Sequence, residues 1–311
     1  MITIGSNKAG SIFWGDQKIS KIFNGNDTVF EGGIKGDWVA KVWDYSGNQT
    51  FVLRGSSVWT DGTYYYCNSG FGDNPQFVFN PSTQRWEDKI WYDSNNNVVK
   101  IMGTQNYYEN GDIYNYYYNG SSYILLKLNK STGKWESQGT SSGPTSQSGG
   151  NIWTTDIIPN KYFMSNGSSQ HYSSNKMTWT SFSSQTFSPT AVKNNLKGSN
   201  IWKYNGETLL CAGTAQYKLK NETQTYPLKW STVTWTGLTN FTGQNIWEYK
   251  GITYYSNGSD QYYLSGSYTW SPQTWTGYTS ITGAQTFEMY GKRYFAYKSS
   301  ASADQLSYEL T

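Results

Sequence analysis

A few residue types in this 311-residue sequence could do chemistry, and their scarcity limits what that chemistry is. A nucleophile–histidine pair needs a histidine; there is one, His171, in "SSQHYSS". Zinc or copper centres need clustered His and Cys, whereas the two cysteines, Cys67 and Cys211, stand far apart in the chain. Three arginines, Arg54, Arg85 and Arg293, could clamp an anion only by converging, and they sit in unrelated contexts. A pair of carboxylates would serve glycoside hydrolysis; Glu109, Glu248 and Glu288 are the candidates, because each follows or nearly follows a repeated aromatic position. No GxxxxGKS/T, CxxC or HExxH pattern occurs. The expectation is a non-enzymatic chain with no catalytic residue, cofactor or metal, for which binding is the remaining function.

The elements that must position any site are repeats. Six segments share an aromatic anchor: Trp59, Tyr107, Trp153, Trp202, Trp247 and Phe287. Glycine follows three or four residues later in five of them (Gly62, Gly111, Gly206, Gly251, Gly291), the mark of a hairpin. A second element opens with Gln76, Gln170, Gln216, Gln261 or Gln305, and a third carries two tryptophans, as in "WEDKIW", "WSTVTW" and "WSPQTW". His171 aligns with Phe77, Tyr217, Tyr262 and Leu306, which marks it as a repeat position rather than a catalyst. Trp and Tyr are numerous (15 and 28) and favour strands.

Each unit supplies four short strands, the size of a propeller blade. The last unit lacks its fourth strand, and "WVAKVW" at 38 to 43 matches the missing piece. The predicted fold is therefore all-β: a six-bladed β-propeller over residues 37 to 311, closed by an N-terminal strand. Closure removes exposed sheet edges. The Trp series is expected to join blade to blade, and the Gln amides to satisfy backbone groups between hairpins. Cys67 and Cys211 fall on opposite blades, too far apart for a disulfide, and are expected as buried free thiols.

The order in "IWEYKGITYYSNG" then "QYYLSGSYTWSPQTW", and in "GTYYYCNSG" then "QFVFNPSTQRW", resembles kelch-type propeller repeats. The paired glycines of that family are replaced by "NSG", "SNG" and "CAG", which makes this a divergent, kelch-like pattern.

Residues 1 to 34 lie outside the repeat. "SIFWGDQKIS" and "KIFNGNDTVF" each read as strand, Gly-Asp or Gly-Asn turn, strand: a small β-hairpin module. It is too small to bury a core of its own and must dock, with "GGIKG" as a hinge. "KIFNGNDTVFEGG" resembles short terminal modules of tailed-bacteriophage virion proteins, tail and fibre components in particular. That resemblance implies a virion location, with other virion proteins as partners of the module.

Charged residues are only 14% and the net charge is +3, so no basic footprint for nucleic acid is present. No window approaches the ~18 apolar residues of a membrane span, and no signal peptide opens the chain; the chain is read as soluble. The expected partner of the ring is a host-surface glycan or receptor, or another virion protein. The alternative is a bacterial surface or secreted carbohydrate-binding propeller, with a glycoside-active enzyme behind it. Recognition is expected where repeats disagree, on the long connections 68 to 76, 136 to 150 and 181 to 199. The candidate ligand-binding residues are Phe71, Asp73, Thr186, Phe187, Lys193 and Asn194.

Overall fold

Aromatic and β-branched runs broken by Asn-Gly pairs fold here as antiparallel four-stranded sheets. The structure, a computed structural model, describes residues 12–14, 17–19, 21–24, 27–31, 36–47, 51–68, 75–144, 147–167, 169–181, 189, 191–220, 228–297 and 306–311. For the strands before residue 32, for Lys193 and for Leu306 it describes the backbone alone.

Six blades follow in order. Their inner strands are Trp59–Thr60, Asn106–Glu109, Ile152–Trp153, Ile201–Tyr204, Ile246–Tyr249 and Thr286–Met289. From each the sheet steps outward, so that blade 2 runs Asn106–Glu109, Asp112–Tyr118, Tyr123–Asn129, Lys134–Ser141. Tight turns join the first two strands of blades 2, 4, 5 and 6. Asn205 and Gly206, at φ 48° and 76°, show the positive-φ pair of a type I′ hairpin.

Blade 6 takes its outer strand from the other end of the ring. Asp37–Val42 pairs antiparallel with Leu306–Leu310, from Trp38 opposite Leu310 to Val42 opposite Leu306. The expected closing strand is thus present, but it ends at Val42. Trp43 lies beyond it, in the seam between blades 6 and 1, where its indole N–H donates to Ser307 Oγ at 2.6 Å.

The two tryptophans of the outer element therefore have different work. The first is the buried outer-strand residue: Trp38, Trp86, Trp135, Trp230 and Trp270 are all at most 2% exposed. The second leaves its blade and wedges against the next one. Trp235 of blade 4 lies 5.9 Å from the blade-4 anchor Trp202 and 5.9 Å from Trp270 of blade 5. The same triangle recurs with Trp91, Trp59 and Trp135, and with Trp275, Trp247 and Trp38. Each ring buries roughly 150–250 Å², so three per seam replace the aliphatic core this composition lacks.

After its second tryptophan the chain runs parallel along the outer edge of the following blade before returning to the centre. Asp44–Ser46 pairs with blade 1 and Thr276–Gly277 with blade 6, while single parallel bridges (Asp93–Trp135, Ser142–Thr178, Thr236–Thr269) serve blades 2, 3 and 5. In these five blades part of the outer edge, which would otherwise template aggregation, is covered.

The stretch 136 to 150, expected as one long connection, is strand as far as Ser141. Its Ser/Gly composition hid a ladder set by the Tyr123–Asn129 strand, with a bulge opposite Leu125 and Leu126. The stretch 181 to 199 contains a short helix, Ala191–Asn195. Before the ring, Ile12–Trp14 pairs with Gln17–Ile19 and Lys21–Asn24 with Asp27–Glu31. These are the expected hairpins, and each is a two-stranded sheet of its own.

Candidate functional site

Of the six expected ligand-binding residues, Phe71, Asp73, Thr186 and Phe187 lie outside the described residues. Lys193 and Asn194 are neighbours on the helix Ala191–Asn195. That helix belongs partly to the interior: Val192 and Leu196 are buried with Trp153 and Trp230, in the seam between blades 3 and 4 where a second tryptophan would stand. Asn194 is exposed.

Two of the three acidic candidates, Glu109 and Glu288, are engaged through their carboxylates, while the Glu248 side chain is exposed. Glu109 accepts a hydrogen bond from the Tyr162 hydroxyl at 2.5 Å and an ion pair from Lys176, both in blade 3. The Lys176 ammonium lies 4.4 Å from the Tyr114 ring centre and 4.8 Å from that of Tyr162, positions favourable for a cation over an aromatic face. Burial alone would raise the Glu109 carboxyl. The hydrogen bonds from Lys176 and Tyr162 outweigh it and hold the group below its ordinary value. Burial likewise opposes the Lys176 charge, and Glu109 outweighs it, so the ammonium titrates above its ordinary value. This polar bolt stands between blades 2 and 3, a seam without a tryptophan triangle.

Glu288 is paired with Arg293 at 3.1 Å across the first two strands of blade 6, and the same guanidinium donates to the Glu248 carbonyl. Arg85 pairs instead with Asp44 on the outer edge of blade 1, at 3.7 Å, so these two arginines face different partners in different blades. His171 is 9% exposed, with Nδ1 3.2 Å from Ser169 Oγ, and burial lowers its pKa. It occupies the repeat position expected of it. Cys67 and Cys211 are buried free thiols whose pKa values burial raises, so neither presents a thiolate. Among the described residues no group of three His, Cys, Asp or Glu could hold a metal, and no helix is long and apolar enough to cross a membrane.

Three members of the glutamine series are structural, as expected, while Gln305 lies outside the described residues. Gln170 Nε2 donates to Gly167 and Leu196 carbonyls at 2.6 and 2.9 Å; Gln216 and Gln261 make the equivalent bonds to Gly213 and Phe241, and to Gly258 and Ile281. Each ties its own hairpin to the segment entering the next blade.

Six glycines that the sequence reading passed over form the hub. A 3₁₀ turn precedes every inner strand and begins with Gly55, Gly103, Gly149, Gly198, Gly243 or Gly283. Each lies against backbone of the preceding turn, and Gly55 lies against Gln285, which closes the circle. A Cβ on Gly55 would stand 1.7 Å from the Gln285 carbonyl oxygen. Side-chain amides stitch the circle further: Asn245 Oδ1 accepts the Ala284 N–H, and Gln285 Oε1 the Ser56 N–H, both at 3.3 Å. The signal was available, since every one of these glycines stands four residues before its anchor.

A second group also escaped notice, on the face opposite the predicted loops. In blade 3 the first two strands are joined not by a tight turn but by residues 154–161. This loop reaches over blade 4: Thr208 Oγ1 donates to Thr155 Oγ1 at 3.1 Å, and Lys203 pairs with Asp156 at 3.3 Å. Beneath it opens a cleft of about 520 Å³ whose lining includes Asp156, Asn205, Glu207, Lys218 and Ser231. Lys218 pairs with Glu207 at 2.8 Å, and the Tyr268 hydroxyl of blade 5 donates to the same carboxylate. A repeat-by-repeat comparison of turn length would have singled out "TTDIIPNK".

No family model matches the sequence, and no curated protein matches it. Solved structures do. A structural genomics protein of unknown function from Bacteroides thetaiotaomicron is similar over 92% of this chain and 78% of its own, with 9% identity and a TM-score of 0.43. PorZ, an essential bacterial surface component of the type-IX secretion system of Porphyromonas gingivalis, is similar over 84% of this chain, with 10% identity and a TM-score of 0.42; the match spans 33% of PorZ.

Proposed function

We propose that the chain is a non-enzymatic appendage or tail-associated protein of a bacteriophage virion, with a divergent kelch-like ring that binds host-surface glycan. The observation that carries this reading is architectural: two small hairpin sheets, which among the described residues pair with no strand of a blade, precede the strand that closes a six-bladed ring. A separate hairpin module suits attachment to another virion protein, and the ring is left to face outward. With Glu109 engaged by Lys176 and Glu288 by Arg293, the three acidic candidates do not supply the two unengaged carboxylates that hydrolysis requires, which favours binding. The exposed aromatic residues also fit: Tyr64, Tyr92, Tyr108, Tyr118, Tyr290 and Tyr297 are 40–61% exposed, whereas no tryptophan from Trp38 to Trp275 is exposed. A tyrosine offers a ring face to the C–H surface of a sugar and a hydroxyl to its rim.

Labelled full-length protein should bind host cells and lose that binding after periodate oxidation of the cell-surface sugars. Protein lacking residues 1 to 34 should still bind cells but no longer be incorporated into particles. Cell binding indifferent to periodate, or normal incorporation of the truncated protein, would refute the corresponding half of the proposal.

A further inference from the structure

The geometry points to the cleft between blades 3 and 4 as the saccharide site of the ring, taking a hydroxyl-rich sugar; this assignment rests on the glycan-binding reading above. At about 520 Å³ it falls in the range of small-ligand sites. It is built rather than incidental. The covering loop is pinned by the Thr155–Thr208 bond and the Lys203–Asp156 pair, and its opposite wall is the second and third strands of blade 4. A rigid wall of this kind costs a ligand little ordering.

Glu207 pairs with Lys218 and Asp156 with Lys203, and these four side chains are 33–88% exposed, so both pairs stand within reach of a ligand. Lys220 lines the same cleft. Carboxylates and ammonium groups together offer acceptors and donors to sugar hydroxyls. An ionised carboxylate has about four lone-pair sites; Lys218 and Tyr268 occupy two on Glu207, and the others remain for hydroxyl donors. Such charge-assisted bonds are about twice as strong as neutral ones. Asn205, at the tip of the adjoining turn, and Ser231 add groups that both donate and accept. Ile157 gives the apolar contact a pyranose C–H face requires.

The test uses full-length protein on an array of neutral, uronate-bearing and sialylated oligosaccharides, followed by calorimetric titration of the best binder. Two variants accompany it: Asp156→Ala, at a side chain 88% exposed, and Ser231→Trp, which fills the cleft. Asp156→Ala removes a lining carboxylate and one of the two contacts that pin the loop, and should weaken binding about tenfold. Ser231→Trp should abolish binding, and thermal unfolding should show both variants folded. If the parent binds a sugar and both folded variants match it within about twofold, the cleft is not the site, while the glycan reading stands. If no sugar binds and cell attachment survives periodate, both the cleft and the glycan reading fall.

Discussion

Substituting Gly55 with alanine tests whether the hub, rather than the closing strand alone, holds the ring together. The new Cβ would stand 1.7 Å from the Gln285 carbonyl oxygen and 2.3 Å from its carbon, where contacts under 3.0 Å are essentially never found. The obstacle is backbone, so no side chain can swing aside. Either turn could retreat only by stretching bonds that fix it: Gly55 N–H to the Ala296 carbonyl at 2.8 Å, and Ser56 N–H to Gln285 Oε1 at 3.3 Å. Overpacking a tight interior costs about 1–3 kcal/mol and sometimes more. With both neighbours locked in a closed circle, we expect the upper end, about 3 kcal/mol. Gly251→Ala is the control. Gly251 sits at φ 73° in an exposed hairpin with nothing within 4 Å, so alanine there suffers only the left-handed backbone penalty of about 1–2 kcal/mol. For a domain of this size each kcal/mol shifts Tm by roughly 2–4 °C. Differential scanning calorimetry should therefore show Gly55→Ala falling roughly 6–12 °C and Gly251→Ala roughly 2–8 °C. Equal losses, or a smaller loss for Gly55→Ala, would mean that the turns do not bear on one another as described.

Trp247→Ala removes a 5%-exposed ring from the triangle with Trp38 and Trp275, together with its 2.9 Å bond to Ser256 Oγ. Urea unfolding should register a loss of about 3–5 kcal/mol, and a loss under about 1 kcal/mol would deny the seam its tryptophan core. Deleting residues 1 to 34 should leave a soluble, monodisperse ring, whereas deleting through residue 45 removes Asp37–Val42 and Trp43, opens the edge of Leu306–Leu310 and should cause aggregation; identical elution and melting of the two would contradict closure by that strand. Because the folded Glu109 carboxyl titrates below its unfolded value of about 4.3, its contribution to stability is present above that pH and lost as pH falls through the folded value. Stability measured between pH 7 and 3 should accordingly drop more steeply for the parent than for Glu109→Gln, and parallel acid limbs would show that the bolt to Lys176 adds nothing. Phe71→Ala and Phe187→Ala test the loop face: weakened cell attachment in either would place recognition there and not in the cleft alone.

The period of the aromatic and glycine residues was enough to determine blade number, strand order and the closing strand, because each blade must bury the same faces in the same sequence of four strands. The glutamine series could be assigned for a related reason: a buried amide must find backbone partners, and a residue present on most blades cannot mark one site. Composition misled at 136 to 150, where serines and glycines form an outer strand because a neighbouring ladder supplies their hydrogen bonds. Only the folded ring decided the rest. That Trp235 belongs to the seam with blade 5, that Lys176 of one blade neutralises Glu109 of another, and that Gly55 must be glycine because of Gln285 are facts about residues distant in sequence. The cleft under residues 154–161 is of the same kind, since its walls come from two blades and the Lys203–Asp156 ion pair joins them. Periodicity records what each unit repeats; contacts between units depend on side-chain reach and backbone approach, which exist only once the circle has closed.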